Sequence, residues 1–203
     1  GRILMARSAL YEESAIAADE QGERRKYQVF HIASMIFLVL AAIMIFFSVW
    51  FIPSMIVQDA STAVKIFNVV IWCIPLLCFI GSFFLFRAIK RRFNVSFDYT
   101  FVQDELRITK VFNGKSRKYL TTLKAEQMLK IGDVESDSVR RTEQGLRGKK
   151  PVILTPNREP VEGKIFIYIH YSSSIEKKLY VLECRKELLE YVVFAAGRNK
   201  FDP

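Results

Sequence analysis

Cysteine and histidine are scarce, three and two in 203 residues. Three thiols cannot build a disulfide scaffold, and together with two imidazoles they leave too few soft ligands for a His/Cys zinc site. The sequence also contains no Gly-rich phosphate loop, GxGxxG, HExxH, CxxC or GxSxG, so the common catalytic constellations have no carrier. The most informative absence is local. Charged residues, 25% of the whole, vanish from Val29 to Val57 and again from Ile66 to Phe86. A chain that is 51% apolar, carries a net charge of +9 and segregates the two in this way suits two solvents, lipid and water.

The first uncharged run holds 29 residues, and roughly 20 at 1.5 Å rise already cross a ~30 Å hydrocarbon core. Its crossing is expected over about residues 32–51, with Trp50 at the far interface and a tolerable break at Pro53. In the second run, residues 66–86, 14 of 21 side chains are Ile, Leu, Phe or Val. Their summed insertion free energy is about −4 to −8 kcal/mol. Only Gln58 to Lys65 separates the runs, so they read as a transmembrane helical hairpin. Arg24, Arg25 and Lys26 precede it, Arg87, Lys90, Arg91 and Arg92 follow it, and the loop carries Lys65 alone. That asymmetry predicts an integral plasma-membrane protein with both termini cytoplasmic. A secretory signal would be shorter, start earlier and end in small residues.

Polar residues in the runs are few. His31, Ser34 and Asn68 lie close enough to the headgroups to reach water, Cys73 and Cys78 read as small packing residues, and Gly81-Ser82 offers a point of close helix approach. Residues 1–28 have no net charge, and the stretch 3–18 places Leu4, Tyr11, Ala15 and Ala18 at helical spacing. This segment is expected to be a cytoplasmic tail or an amphipathic helix.

From Phe93 onward, 20 bases against 15 acids accompany short alternating segments. FDYTFV and ELRITKVF, parted by Gln103-Asp104, read as a hairpin, and Asn113-Gly114 supplies the next tight turn into RKYLTTLK. AEQMLKI follows as a short helical or extended piece. Gly132 to Lys150 is polar and aperiodic, which predicts a long loop. KIFIYIHY and KKLYVLEC alternate as a second hairpin, with Ile165, Ile167, Ile169 and Tyr171 on one face and Phe166, Tyr168 and His170 on the other. RKELLEYVVFAAG then places Leu188, Leu189, Val192, Val193 and Ala196 on a helix capped at Gly197.

Strand order, the DYTF…ELRITKV stretch and the closing LYVLECRKELLEYV resemble the bacterial pleckstrin-homology-like domains that follow a transmembrane hairpin. More narrowly, FDYTFVQDELRITKVFNGKSRKYL is similar to the opening strands of a small two-span bacterial membrane-protein family of unknown function. The resemblance covers slightly over half the chain, and the basic segment from Arg140 to Lys150 departs from it. The fold class it implies is a membrane α-helical hairpin plus an α+β domain. That domain would be an antiparallel PH-like sheet or barrel closed by a C-terminal helix. The expected organisation is therefore residues 1–28 as tail, 29–92 as hairpin and 93–203 as the cytoplasmic domain.

No residue set for catalysis, metal or cofactor emerges. His170 reads as a sheet residue, and Cys184, beside Arg185 and Lys186, as a small core residue or a thiol of lowered pKa. Glu183, Glu187 and Glu190 read as solvated charges. The positive feature is basic. Arg87, Lys90, Arg91 and Arg92 would attract anionic lipid by about 1 kcal/mol each. Arg140, Arg141, Arg147, Lys149 and Lys150 could grip a bilayer, a phosphate-bearing ligand or an acidic protein. Bases without interleaved aromatics beside a membrane argue against nucleic acid. The expected role is a non-enzymatic membrane-anchored accessory or scaffold subunit. Its partners would be membrane lipids and another membrane protein or a second copy of the chain. The alternative is a sensor that binds anionic lipid or a phosphate-bearing ligand through residues 140–150.

Overall fold

The computed structural model describes residues 10–57, 61–146, 149–173 and 175–202, without the side chains of Asp137, Ser138 and Glu143. Among these residues the first element is a strand, β1 (Tyr11–Ala15), in which Tyr11, Glu13 and Ala15 are covered while Glu12 and Ser14 are exposed. It pairs antiparallel with β2 (Val95–Val102), Ala15 facing Phe97. The amphipathic helix expected over 3–18 is therefore corrected at its described end, and Leu4 lies outside the described residues. Period-2 burial at a sheet edge, where each backbone group finds a partner, outweighs the helical spacing of Tyr11 and Ala15.

β3 (Glu105–Phe112) and β4 (Ser116–Lys124) complete a four-stranded sheet in the order β1-β2-β3-β4. Its two tight turns take positive φ at both central residues, Gln103 and Asp104 at 52° and 60°, Asn113 and Gly114 at 52° and 66°. That geometry matches the twist of the flanking strands. A single 3-10 turn, Ala125–Gln127, then carries the chain into a second sheet. This sheet has the order β6-β8-β7-β5-β9, built on β5 (Met128–Asp133), β7 (Ile165–Ser172) and β8 (Lys177–Cys184). Two-residue strands β6 (Val152–Ile153) and β9 (Phe201–Asp202) flank it in parallel to β8 and β5. The sheets remain separate, so the barrel expected from the sequence is not closed. The turn at 125–127 interrupts the ladder between β4 and β5.

One core joins the two sheets. Phe97, Tyr99, Phe101, Leu106, Ile108 and Leu123 meet Met128, Ile131, Ile167, Ile169 and Leu182, with Leu188, Val192 and Ala196 of α4 (Lys186–Ala196) in the same cluster. Each fully buried Phe, Leu or Ile contributes about 1.5–3 kcal/mol. The long loop expected between Gly132 and Lys150 contains instead a helix, α3 (Asp137–Gly145). Val139 and Leu146, seven residues apart, pack on Tyr168 and Leu179 and cover the outer face of β7 and β8. The polar composition hid this helix, because two apolar residues suffice to dock it.

Residues Gln21–Asn94 form a second compact unit, while the described residues up to Glu20 belong with those from Val95 onward. Its helices are α1 (Glu20–Val57) and α2 (Thr62–Lys90), both long and apolar enough to cross a membrane. α1 runs unbroken through Pro53 and α2 through Pro75. Ser34 and Ala41 are the buried residues of α1, and Ser48, another seven residues on, accepts a hydrogen bond from Trp72 Nε1 at 2.9 Å. This line of small residues marks the face toward α2. Ring pairs Phe30–Phe86, Phe37–Phe79 and Phe51–Trp72 bridge the antiparallel helices.

Candidate functional site

Strand register gathers bases that are far apart in the sequence. Lys130 of β5 lies opposite His170 of β7, and His170 lies opposite Leu179 of β8, two residues beyond Lys177. Residues directly opposite, or two apart on one strand, share a face, so all three stand on the outer face of the second sheet. Arg141, Thr142, Gly145 and Leu146 line the other side of the resulting cleft, whose volume is about 340 Å³. The packing of Val139 and Leu146 on Tyr168 and Leu179 fixes α3 over it.

Charge in this cleft is predominantly positive. Lys130 Nζ lies 2.8 Å from the Asp202 carboxylate, and that hydrogen bond raises its pKa while neighbouring Arg141 pushes it down. His170 is held below the ordinary imidazole range by burial and by Lys177. Its Nε2 is buried without a hydrogen-bond partner among the described residues.

A second polar cluster has a structural task. Glu183, read from the sequence as solvated, is fully buried. Its carboxylate accepts from Thr155 Oγ1 at 2.5 Å, Asn157 Nδ2 at 2.7 Å and the Val161 amide at 3.0 Å. Asn157 also donates to the Ile16 carbonyl and accepts from the Ala18 amide, each at 2.8 Å. Glu13 accepts the Arg185 amide at 3.0 Å, and Lys164 donates to the Ser14 carbonyl at 2.6 Å. β1 is thereby latched to β8 and to the connector at 155–161. Tyr99 donates to the Leu154 carbonyl at 2.7 Å, and burial pushes its phenol far above the usual range. Cys184 has no exposed surface and its thiol is pushed up by burial. The lowered-pKa alternative for this residue is corrected: desolvation outweighs the nearby cations.

The residues singled out in the sequence separate into two groups. Arg87 and Lys90 occupy the last turn of α2, with Arg91 and Arg92 immediately after it. Lys90 Nζ is 3.0 Å from His31 Nδ1 and lies over the Tyr27 ring, so the basic ends of both helices meet within the hairpin. The bases of 140–150 take different places. Arg141 lines the cleft, Arg140 and Lys150 are exposed, Lys149 pairs with Glu176 at 3.4 Å, and Arg147 lies outside the described residues. Gly81 is exposed and Ser82 partly exposed. A Cβ added at Gly81 would meet nothing within 4 Å. A wider cleft of about 820 Å³ lies along α4, where Glu187, Glu190 and Arg198 accompany Tyr11 and Tyr191.

Lys130 and Lys177 were missed because only pairing, not spacing, brings them to His170. Glu183 carried a signal: it is the lone acid in the apolar run LYVLEC.

This arrangement of strands, inserted hairpin and terminal helix has a match. The family described as Bacterial PH-like domain (DUF6106) matches residues 9–199. The chain belongs to this family. The match spans β1, both long helices and every other strand except β9, so in this family member the hairpin lies within the matched region. No curated protein and no solved structure matches the chain.

Proposed function

We propose that this PH-like family member is a non-enzymatic, membrane-anchored adaptor whose domain docks a partner at the cytoplasmic membrane face. One observation carries the reading: the hairpin is the connection between β1 and β2, neighbours in one sheet. Both of its ends are covalently part of the domain's fold, and the Glu13 and Asn157 bonds hold β1 in place. Exposed apolar side chains along the hairpin, Phe46, Phe67, Leu77 and Phe84 among them, suit lipid or a partner's helices. The seven bases at one end favour the cytoplasmic side.

The domain also offers a docking edge. Among the described residues no strand pairs with the outer edge of β4. That edge carries exposed Arg117, Lys118 and Tyr119, and an extended acidic segment can add there through main-chain hydrogen bonds. Purification of the tagged full chain from native membranes in mild detergent, followed by mass spectrometry, is expected to recover a stoichiometric membrane protein. A monodisperse monomer free of other proteins would overturn the adaptor reading. A second reading, an anion sensor using residues 140–150, has the placement of Arg141 in the basic cleft in its favour.

A further inference from the structure

We propose that the cleft between α3 and strands β5, β7 and β8 binds a phosphate group, borne either by a small soluble molecule or by a lipid headgroup. This deepens the anion-sensing reading and is independent of partner docking. Lys130, Arg141 and Lys177 arrive from three different elements, and among the described residues no acidic side chain lines the cleft. Asp202 occupies one side of Lys130, leaving the positive charge of Arg141 and Lys177 uncompensated within the cleft. Like charges gathered in one concavity repel, and an anion between them reverses the sign of that interaction.

The geometry also suits phosphate chemically. An Arg guanidinium presents paired donors matching two phosphate oxygens, and Lys adds point charges around them. Arg141 is carried by a helix whose docking residues, Val139 and Leu146, are buried. The donor therefore sits on a fixed element and not on a free loop. His170, whose buried Nε2 has no partner among the described residues, lies on β7, between the strands that carry Lys130 and Lys177. A volume of about 340 Å³ exceeds what a bare phosphate needs and falls at the small end of small-molecule sites, roughly 300–1,000 Å³. A phosphate ester fits it.

His170 and His31 are the two histidines of the chain, so histidine-selective NMR of the full protein in detergent reads the cleft with an internal reference. Titration with inorganic phosphate, at ionic strength held constant with chloride, is expected to shift the His170 resonances saturably and leave those of His31 in place. The double substitution Arg141→Gln/Lys177→Gln, both at exposed positions, should weaken this binding at least about tenfold. Lys115→Gln, at an exposed position in the turn between β3 and β4, should leave it unchanged. Nanodiscs of phosphatidylglycerol in buffer without inorganic phosphate, compared with phosphatidylcholine, separate the sources. The same His170 shift from the anionic lipid assigns a headgroup, and a shift from phosphate alone assigns a soluble ligand. If neither moves His170, or if the double variant binds like the parent, the proposal fails, whether or not a partner protein copurifies.

Discussion

Glu183→Ala is expected to lower the thermal midpoint of the β-sheet unit by about 10 °C, the equivalent of about 3 kcal/mol. The carboxylate is fully buried and receives three donors, from Thr155, Asn157 and Val161. Removing it leaves those donors without their acceptor in a buried space, and each such loss costs about 1–3 kcal/mol before the surroundings relax. The effect should spread beyond the pocket. Asn157 loses one of its anchors while still holding Ile16 and Ala18, so β1 should loosen first. Hydrogen exchange at residues 11–15 is expected to accelerate more than exchange in β7. Glu183→Gln should fall between the parent and Ala, because the amide keeps the volume and one acceptor. Thermal unfolding followed by circular dichroism checks the order, and an unchanged midpoint in the Ala variant would refute the assigned role of the cluster.

Gly132→Ala is the second substitution with a large expected effect. A methyl group there would press on the backbone carbonyl oxygen of Asp202 and stand 2.8 Å from Tyr168 Cε1. Asp202 is the parallel partner of Gly132 in the ladder between β5 and β9, and its backbone oxygen cannot swing aside as a flexible side chain would. The simplest relief is departure of β9, which also breaks the Lys130–Asp202 ion pair at 2.8 Å. Overpacking of this kind costs about 1–3 kcal/mol. Amide hydrogen exchange at Phe201 and Asp202 should then be faster than in the parent, while β7 and β8 keep their protection. Equal exchange rates at these two residues would show that the strand tolerates the methyl.

Much of the fold was legible because its signals are local. Uncharged length identified two helices able to cross a membrane, Asn113-Gly114 and alternation placed the hairpins, and the 3.6-residue period placed α4. The alternation of β7 also divided its faces correctly: Ile167 and Ile169 enter the main core, and Tyr168 enters the cluster under α3. Three features resisted for physical reasons. β1 is a strand because a distant edge, β2, completes its hydrogen bonds, a partner some 80 residues away that no local window contains. α3 is polar over most of its length and docks through two residues. The basic cleft depends on cross-strand register, so of the bases named from the sequence it draws, among the described residues, Arg141 alone. Within the hairpin, Ser34, Ala41 and Ser48, spaced by sevens, mark the packed face.

The central claim, a domain held on the cytoplasmic side by an inserted hairpin, is tested most directly by cysteine accessibility in intact cells. Ser61→Cys stands at the N-terminal end of α2, between the long helices, and Lys118→Cys on the exposed edge of β4. The native thiols give the background: Cys73 and Cys78 lie within α2, and Cys184 is buried. A membrane-impermeant maleimide is expected to label Ser61→Cys in intact cells and Lys118→Cys only after the membrane is opened. Labelling of Lys118→Cys in intact cells, or of neither position until the membrane is opened, would contradict the account.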